Sequence, residues 1–138
     1  MTKDLEKKLF DRFSFFHPEE SLSQSLMAFG FECGSGWFNL IWSLCEDIDR
    51  IIKKENFSIK VVQVKEKFGG LRFYWIFKES NYDILDDDKI DEIFDKIESL
   101  INKAEERSYQ VCEVCGAKGS LRKNGWLKTL CDNCNKEN

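Results

Sequence analysis

Residues 58–78 read SIKVVQVKEKFGGLRFYWIFK, and this stretch decides the fold. Its apolar and polar positions alternate with the period of a pleated strand, and Gly69-Gly70 interrupts the run midway as the residues of a two-residue hairpin turn would. Folding the stretch about that turn places Val62, Val64, Phe68, Leu71, Phe73, Trp75 and Phe77 on one face, with Glu66 as the exception. Gln63, Lys65, Lys67, Arg72, Tyr74 and Lys78 fall on the other face, together with Val61 and Ile76. A two-residue slip of the turn changes cross-strand partners but not faces. The hairpin therefore has one side to bury and one to present to water.

The flanking segments carry a helical period. Trp37, Ile41, Leu44, Ile48 and Ile51, with Phe38, Cys45 and Ile52 beside them, form an apolar stripe that predicts a core helix over about 36–55, capped by Ser35 or Gly36. Ile90, Ile93, Phe94, Ile97, Leu100, Ile101 and Ala104 predict a second long helix over about 87–108. Asp86, Asp87 and Asp88 complement the positive end of its dipole, and they lack the glycine and later glutamate of a calcium loop. Upstream, Thr2 precedes the periodic Leu5, Leu9, Phe10 and Phe13, a short helix over 3–13. Pro18-Glu19-Glu20 reads as the start of another, with Leu22, Leu26 and Phe29 on one face and Gly30 as its stop. The expected architecture is α+β, with helices packed on an antiparallel hairpin or small sheet.

A chain of 138 residues with 42% hydrophobic content and a single proline has enough apolar surface for one core without disulfides. It shows no apolar run of signal-peptide or membrane-span type, so the cytoplasm, away from membranes, is the expected setting. The net charge of −4 is unevenly distributed: residues 1–57, 58–79, 80–110 and 111–138 carry −3, +3, −6 and +2. Such a pattern allows a local anion-binding face but not a surface coated in positive charge.

Four of the six cysteines form two CxxC pairs, Cys112/Cys115 and Cys131/Cys134. In a reducing compartment this spacing points to metal rather than disulfides. Gly116 suits the tight turn after the first pair, and Asn124-Gly125 is a hairpin signal that returns the chain so that the second pair meets the first. Four thiolates select one Zn²⁺, with iron as the other candidate, and a filled ligand shell makes the ion structural. Residues 1–110 are then the α+β body and 111–138 a zinc ribbon. Apparent binding energies of about 10–16 kcal/mol let so short a segment fold through its metal.

Two basic groups of residues invite a binding role. Lys65, Lys67, Arg72 and Tyr74 share the wet hairpin face, a donor patch for phosphate or an acidic protein surface that also reads as an ordinary solvated face. Within the ribbon, Lys118, Arg122, Lys123 and Lys128 accompany Trp126, which is expected to form the ribbon's small core and otherwise to stack on a base. Cys33 and His17 allow a thiol-enzyme reading with Glu32 as orienter, but no third partner stands at a recognisable spacing. Cys45 lies in an apolar stripe and is expected in the core.

The stretches GFECGSGW, VKEKFGGLRFY, CEVCG and LCDNC, spanning Gly30 to Cys134, together resemble a family of small uncharacterised proteins of phages, prophages and bacterial genomes. Relatives of this type often carry an acid where Ser35 stands. The resemblance implies a helix–hairpin–helix body with a metal-binding tail, and host cytoplasm as the setting if the chain is phage-encoded. It implies no activity.

The sequence thus reads as a non-enzymatic zinc-binding accessory protein that acts by binding a macromolecular partner. A host or phage protein, which it would inhibit or adapt, is the first expectation. Nucleic acid, held by the basic hairpin face and the ribbon lysines, is the alternative, and a Cys33-dependent enzyme the second alternative.

Overall fold

The computed structural model describes residues 1–137. Helix α1 (Lys3–Arg12) leads into a long irregular segment, followed by α2 (Phe38–Glu55), strands β1 (Ile59–Lys67) and β2 (Gly70–Phe77), and α3 (Asp87–Ser108). The chain ends in a small hairpin, β3 (Ser120–Arg122) and β4 (Lys128–Leu130), and a final turn of helix, α4 (Asp132–Lys136). The architecture is α+β, with two antiparallel two-stranded sheets.

Both long helices form where the apolar stripes lie. Trp37, Ile41, Leu44, Cys45 and Ile48 are buried along α2, and Ile93, Ile97, Ile101 and Ala104 along α3. The Asp86 side chain caps α3 by accepting from the Lys89 N–H at 2.8 Å, and Asn56 closes α2 in the left-handed conformation. Helices α2 and α3 pack on each other, and α3 also packs on β2. Phe13, Phe15, Phe16 and Phe31 complete the core, and Trp42 packs against it.

The hairpin departs from the predicted register in two ways. Its closing pair is Lys67–Gly70, so the turn residues are Phe68 and Gly69, both at positive φ (54° and 85°). The Glu66 carboxylate accepts from the Gly69 N–H at 2.7 Å, which explains the acid on the apolar face. Phe68 thereby leaves the core face for the turn and is exposed. The second departure is a bulge at Val62, where the register shifts between Val61 and Gln63. One extra residue reverses the parity of everything before it, so Ile59 and Val61 are buried and Val62 is not.

No helix forms between Pro18 and Gly30. The wider stretch 15–32 lies along the free edge of β1: the Val61 N–H donates to the Phe15 carbonyl, the Leu26 N–H to the Val62 carbonyl, the Glu32 N–H to the Val64 carbonyl and the Glu66 N–H to the Glu32 carbonyl. The Ser25 hydroxyl also accepts from the Met27 N–H, a local bond that competes with a helical one. Only a 3₁₀ turn at Met27–Phe29 survives, and Leu22 and Phe29 are exposed. The segment covers a sheet edge that would otherwise be open.

Candidate metal centre and the adjoining cleft

Residues 111–137 fold back over a β3–β4 hairpin whose closing pair is Arg122–Lys128. Asn124-Gly125 therefore lies within a five-residue loop, 123–127, rather than forming a two-residue turn. The return brings Cys112, Cys115, Cys131 and Cys134 together, with all four sulfurs within 4.8 Å of one another. The Cys115 and Cys131 sulfurs are 3.7 Å apart. A tetrahedral thiolate site with metal–sulfur bonds of about 2.3 Å has edges of about 3.8 Å, so the donors fit a four-coordinate ion.

Local backbone favours the thiolate at Cys112, whereas the hydrogen bond with the Cys131 sulfur pushes the Cys134 thiol up. Burial pushes the Cys112 thiol up, yet backbone donors around Cys131, Cys115 and Val114 outweigh it and hold it down to about 6. Cys131 caps α4, its sulfur accepting from the Cys134 N–H at 3.4 Å. Gly116 takes φ 82° after the first pair, the conformation expected of that turn. Cys112, Leu130 and Cys131 form the small core of this unit.

The cluster is held to the body at two places. The first is the glycine loop that precedes α2. There the Gly36 N–H donates to the Glu113 carbonyl and the Gly34 N–H to the Glu113 carboxylate, both at 2.8 Å. Trp37 Nε1 donates to the Val111 carbonyl at 2.9 Å. A Cβ at Gly36 would stand 2.1 Å from the Cys112 carbonyl oxygen, so glycine is required by close approach. The second place is the hairpin tip, where buried Thr129 donates its hydroxyl to the Gly69 carbonyl at 2.7 Å. Sequence reasoning took the glycine loop as a helix cap and missed Glu113 and Thr129. Three glycines in seven residues were the available signal of two backbones in contact.

Between the hairpin tip and the ribbon loop lies a cleft of about 390 Å³. Lys65, Glu66, Lys67 and Phe68 form one wall, and Gly125, Trp126 and Leu127 the other. Trp126 is 81% exposed and Phe68 63%. The expectation that Trp126 is the ribbon's core is therefore corrected: sulfur and Leu130 fill that place, and the indole stands in solvent.

The remaining basic candidates separate. The Arg72 guanidinium bonds the Glu105 carboxylate at 2.6 Å and the Leu71 carbonyl at 3.1 Å, and so does not contribute a free charge to the basic face. Tyr74 is exposed on β2 but does not line the cleft. Lys123 is exposed at the start of the ribbon loop, and Lys128 is half-buried at the start of β4.

Cys33 is buried, and desolvation, followed by the charge of Glu113, pushes its thiol up to about 12, so it is protonated at neutral pH. The His17 Nδ1 is 3.3 Å from Glu19, while the Glu32 carboxylate accepts instead from Gln63. Cys45 is fully buried. Among the described residues no helix is long and apolar enough to cross a membrane.

No protein-family model matches the chain, and neither a curated protein nor a solved structure matches it.

Proposed function

We propose that this is a non-enzymatic, zinc-stapled binding protein that grips a macromolecular partner in the cleft between the hairpin tip and the ribbon loop. One observation carries the reading: Trp126 and Phe68, two large aromatic side chains, are both exposed in the lining of one cleft, the first from the ribbon loop and the second from the hairpin tip. Neither stabilises the core. Phe68 moreover holds a left-handed backbone, a conformation that costs a bulky residue about 1–3 kcal/mol and that clusters at functional positions. Aromatic anchors of this kind dominate binding surfaces.

Zinc suits the four-sulfur donor set, and its full ligand shell leaves no open position for a substrate. Its role is architectural: it fixes the β3–β4 hairpin whose loop brings Trp126 to the cleft. An accessory role of phage type, as an inhibitor or adaptor, accords with a small acidic chain of this construction.

The test is capture from lysate by the zinc-loaded chain, by Trp126→Ala and by Tyr82→Ala, an exposed aromatic outside the cleft. A partner retained by wild type and Tyr82→Ala but lost by Trp126→Ala supports the cleft. Equal retention by all three removes it.

A further inference from the structure

Resting on the reading of the cleft as the working surface, we infer that its occupant is single-stranded nucleic acid, with bases stacked on Trp126 and Phe68 and phosphates held by Lys65 and Lys67. The charge balance of the cleft supports this. Among the described residues, the two cations of the lining, Lys65 and Lys67, have no ion-pair partner, whereas Lys60, Lys89, Lys96 and Arg72 are paired. Glu66, the one acid in the lining, turns its carboxylate onto the Gly69 N–H. Lys67 Nζ sits 5.5 Å from the Phe68 ring centroid, so cation and aromatic face are presented together.

The two walls have different origins and complementary chemistry. The hairpin supplies cations and one ring, and the ribbon loop supplies the larger ring on an open tip, since nothing lies within 4 Å of a Cβ built at Gly125. Stacking needs base faces free of a helical stack, which a duplex does not offer. An acidic peptide is the weaker match. It offers charge to Lys65 and Lys67 but no flat π-face to Trp126 and Phe68, whereas every base of a single strand supplies one. The acidic segment 80–110, by contrast, does not enter the lining. The protein's overall negative charge thus falls elsewhere.

The probe is a fluorescein-labelled oligothymidylate of about 12 nucleotides, within the usual span of single-strand sites. Anisotropy is read on the full zinc-loaded chain, with oligouridylate, a duplex of equal length and polyglutamate as the other arms. The expected result is similar binding of both single strands and weaker binding of duplex and polyglutamate. With two phosphates neutralised, log K should fall against log salt with a slope of about −1.4. Trp126→Ala should weaken binding about 5- to 150-fold, and Lys65→Glu with Lys67→Glu should abolish it. No binding at low salt overturns the inference, as does binding indifferent to Trp126. If the oligonucleotides fail while a nuclease-resistant partner is still captured in a Trp126-dependent way, a protein occupies the cleft and only the nucleic-acid assignment falls. If lysate capture also ignores Trp126, the cleft itself is not the working surface.

Discussion

Gly36 lies against Cys112 with no room for a methyl group: a Cβ there would meet the Cys112 carbonyl oxygen at 2.1 Å and the Glu113 carbonyl oxygen at 2.6 Å. The loop before α2 is thus the seat on which the first CxxC knuckle rests. Body and metal unit meet backbone to backbone.

Gly36→Ala should therefore push the knuckle off its seat. Overpacking of this kind costs about 1–3 kcal/mol. The expected outcome is a lower melting temperature of the metal-loaded protein and faster metal loss to a chromogenic chelator. Wild-type rates of metal loss would show that the contact does not support the site.

Removing the metal, by chelator or by Cys131→Ser, should melt residues 111–137 and leave the helical body folded. The main cluster of buried side chains, from Leu9 to Ala104, contains none of the ligands. Hydrogen exchange should accelerate in the ribbon and at Gly34–Trp37, while α2 and α3 keep their protection. Global loss of helical circular dichroism would contradict this division of stability.

Trp37 and Trp126 should behave oppositely. Trp37 is fully buried and its indole N–H satisfies Val111, so Trp37→Phe is expected to cost about 1–3 kcal/mol. Trp126→Ala, at an exposed site, should change stability by no more than about 0.5 kcal/mol. Denaturant midpoints measure both, and a large loss at Trp126 would mean that the ring supports the ribbon after all.

Ser108, buried at the end of α3, accepts from the Leu71 N–H at 3.0 Å and donates to the Glu105 carbonyl. Ser108→Ala strips a buried N–H of its acceptor and should cost about 1–3 kcal/mol. An unchanged urea midpoint would show that the Leu71 N–H finds another partner.

Glu55 joins the end of α2 to α3 through Lys89 at 2.5 Å and Lys96 at 3.5 Å, and the Lys89 hydrogen bond leads the causes that hold its carboxyl below the usual 4.5. A folded-state value below the unfolded one gives stability that is present above the unfolded value and lost as pH falls through the folded one. Wild type should therefore exceed Glu55→Gln in melting temperature at neutral pH, and the two should converge in acid. A difference independent of pH would exclude this ion pair as its source.

Much of the scaffold was legible from local pattern. The stripes of α2 and α3 appear where their 3.6-residue periods lie, because each helix satisfies its own backbone and needs only one apolar face to pack. Leu71 and Phe73 are buried on β2 as alternation predicts. The CxxC spacing likewise located the sulfur cluster, since each pair is brought together by its own short turn.

What failed depended on groups distant in sequence. The bulge at Val62 moved Val61 and Ile59 inward, and no local signal marks one inserted residue among valines. The segment after Pro18 gave up a helix because its backbone found carbonyl and amide partners along β1. By itself, then, the sequence determined helices α1, α2 and α3, the hairpin and the four clustered sulfurs, all products of short-range periodicity and spacing. The tertiary structure alone decided that the glycine loop seats the first CxxC turn, that Arg72 is tied to Glu105, and that Trp126 and Phe68 line one cleft. Each of these depends on how two separately formed surfaces meet, and that is fixed by packing and hydrogen bonding across dozens of residues.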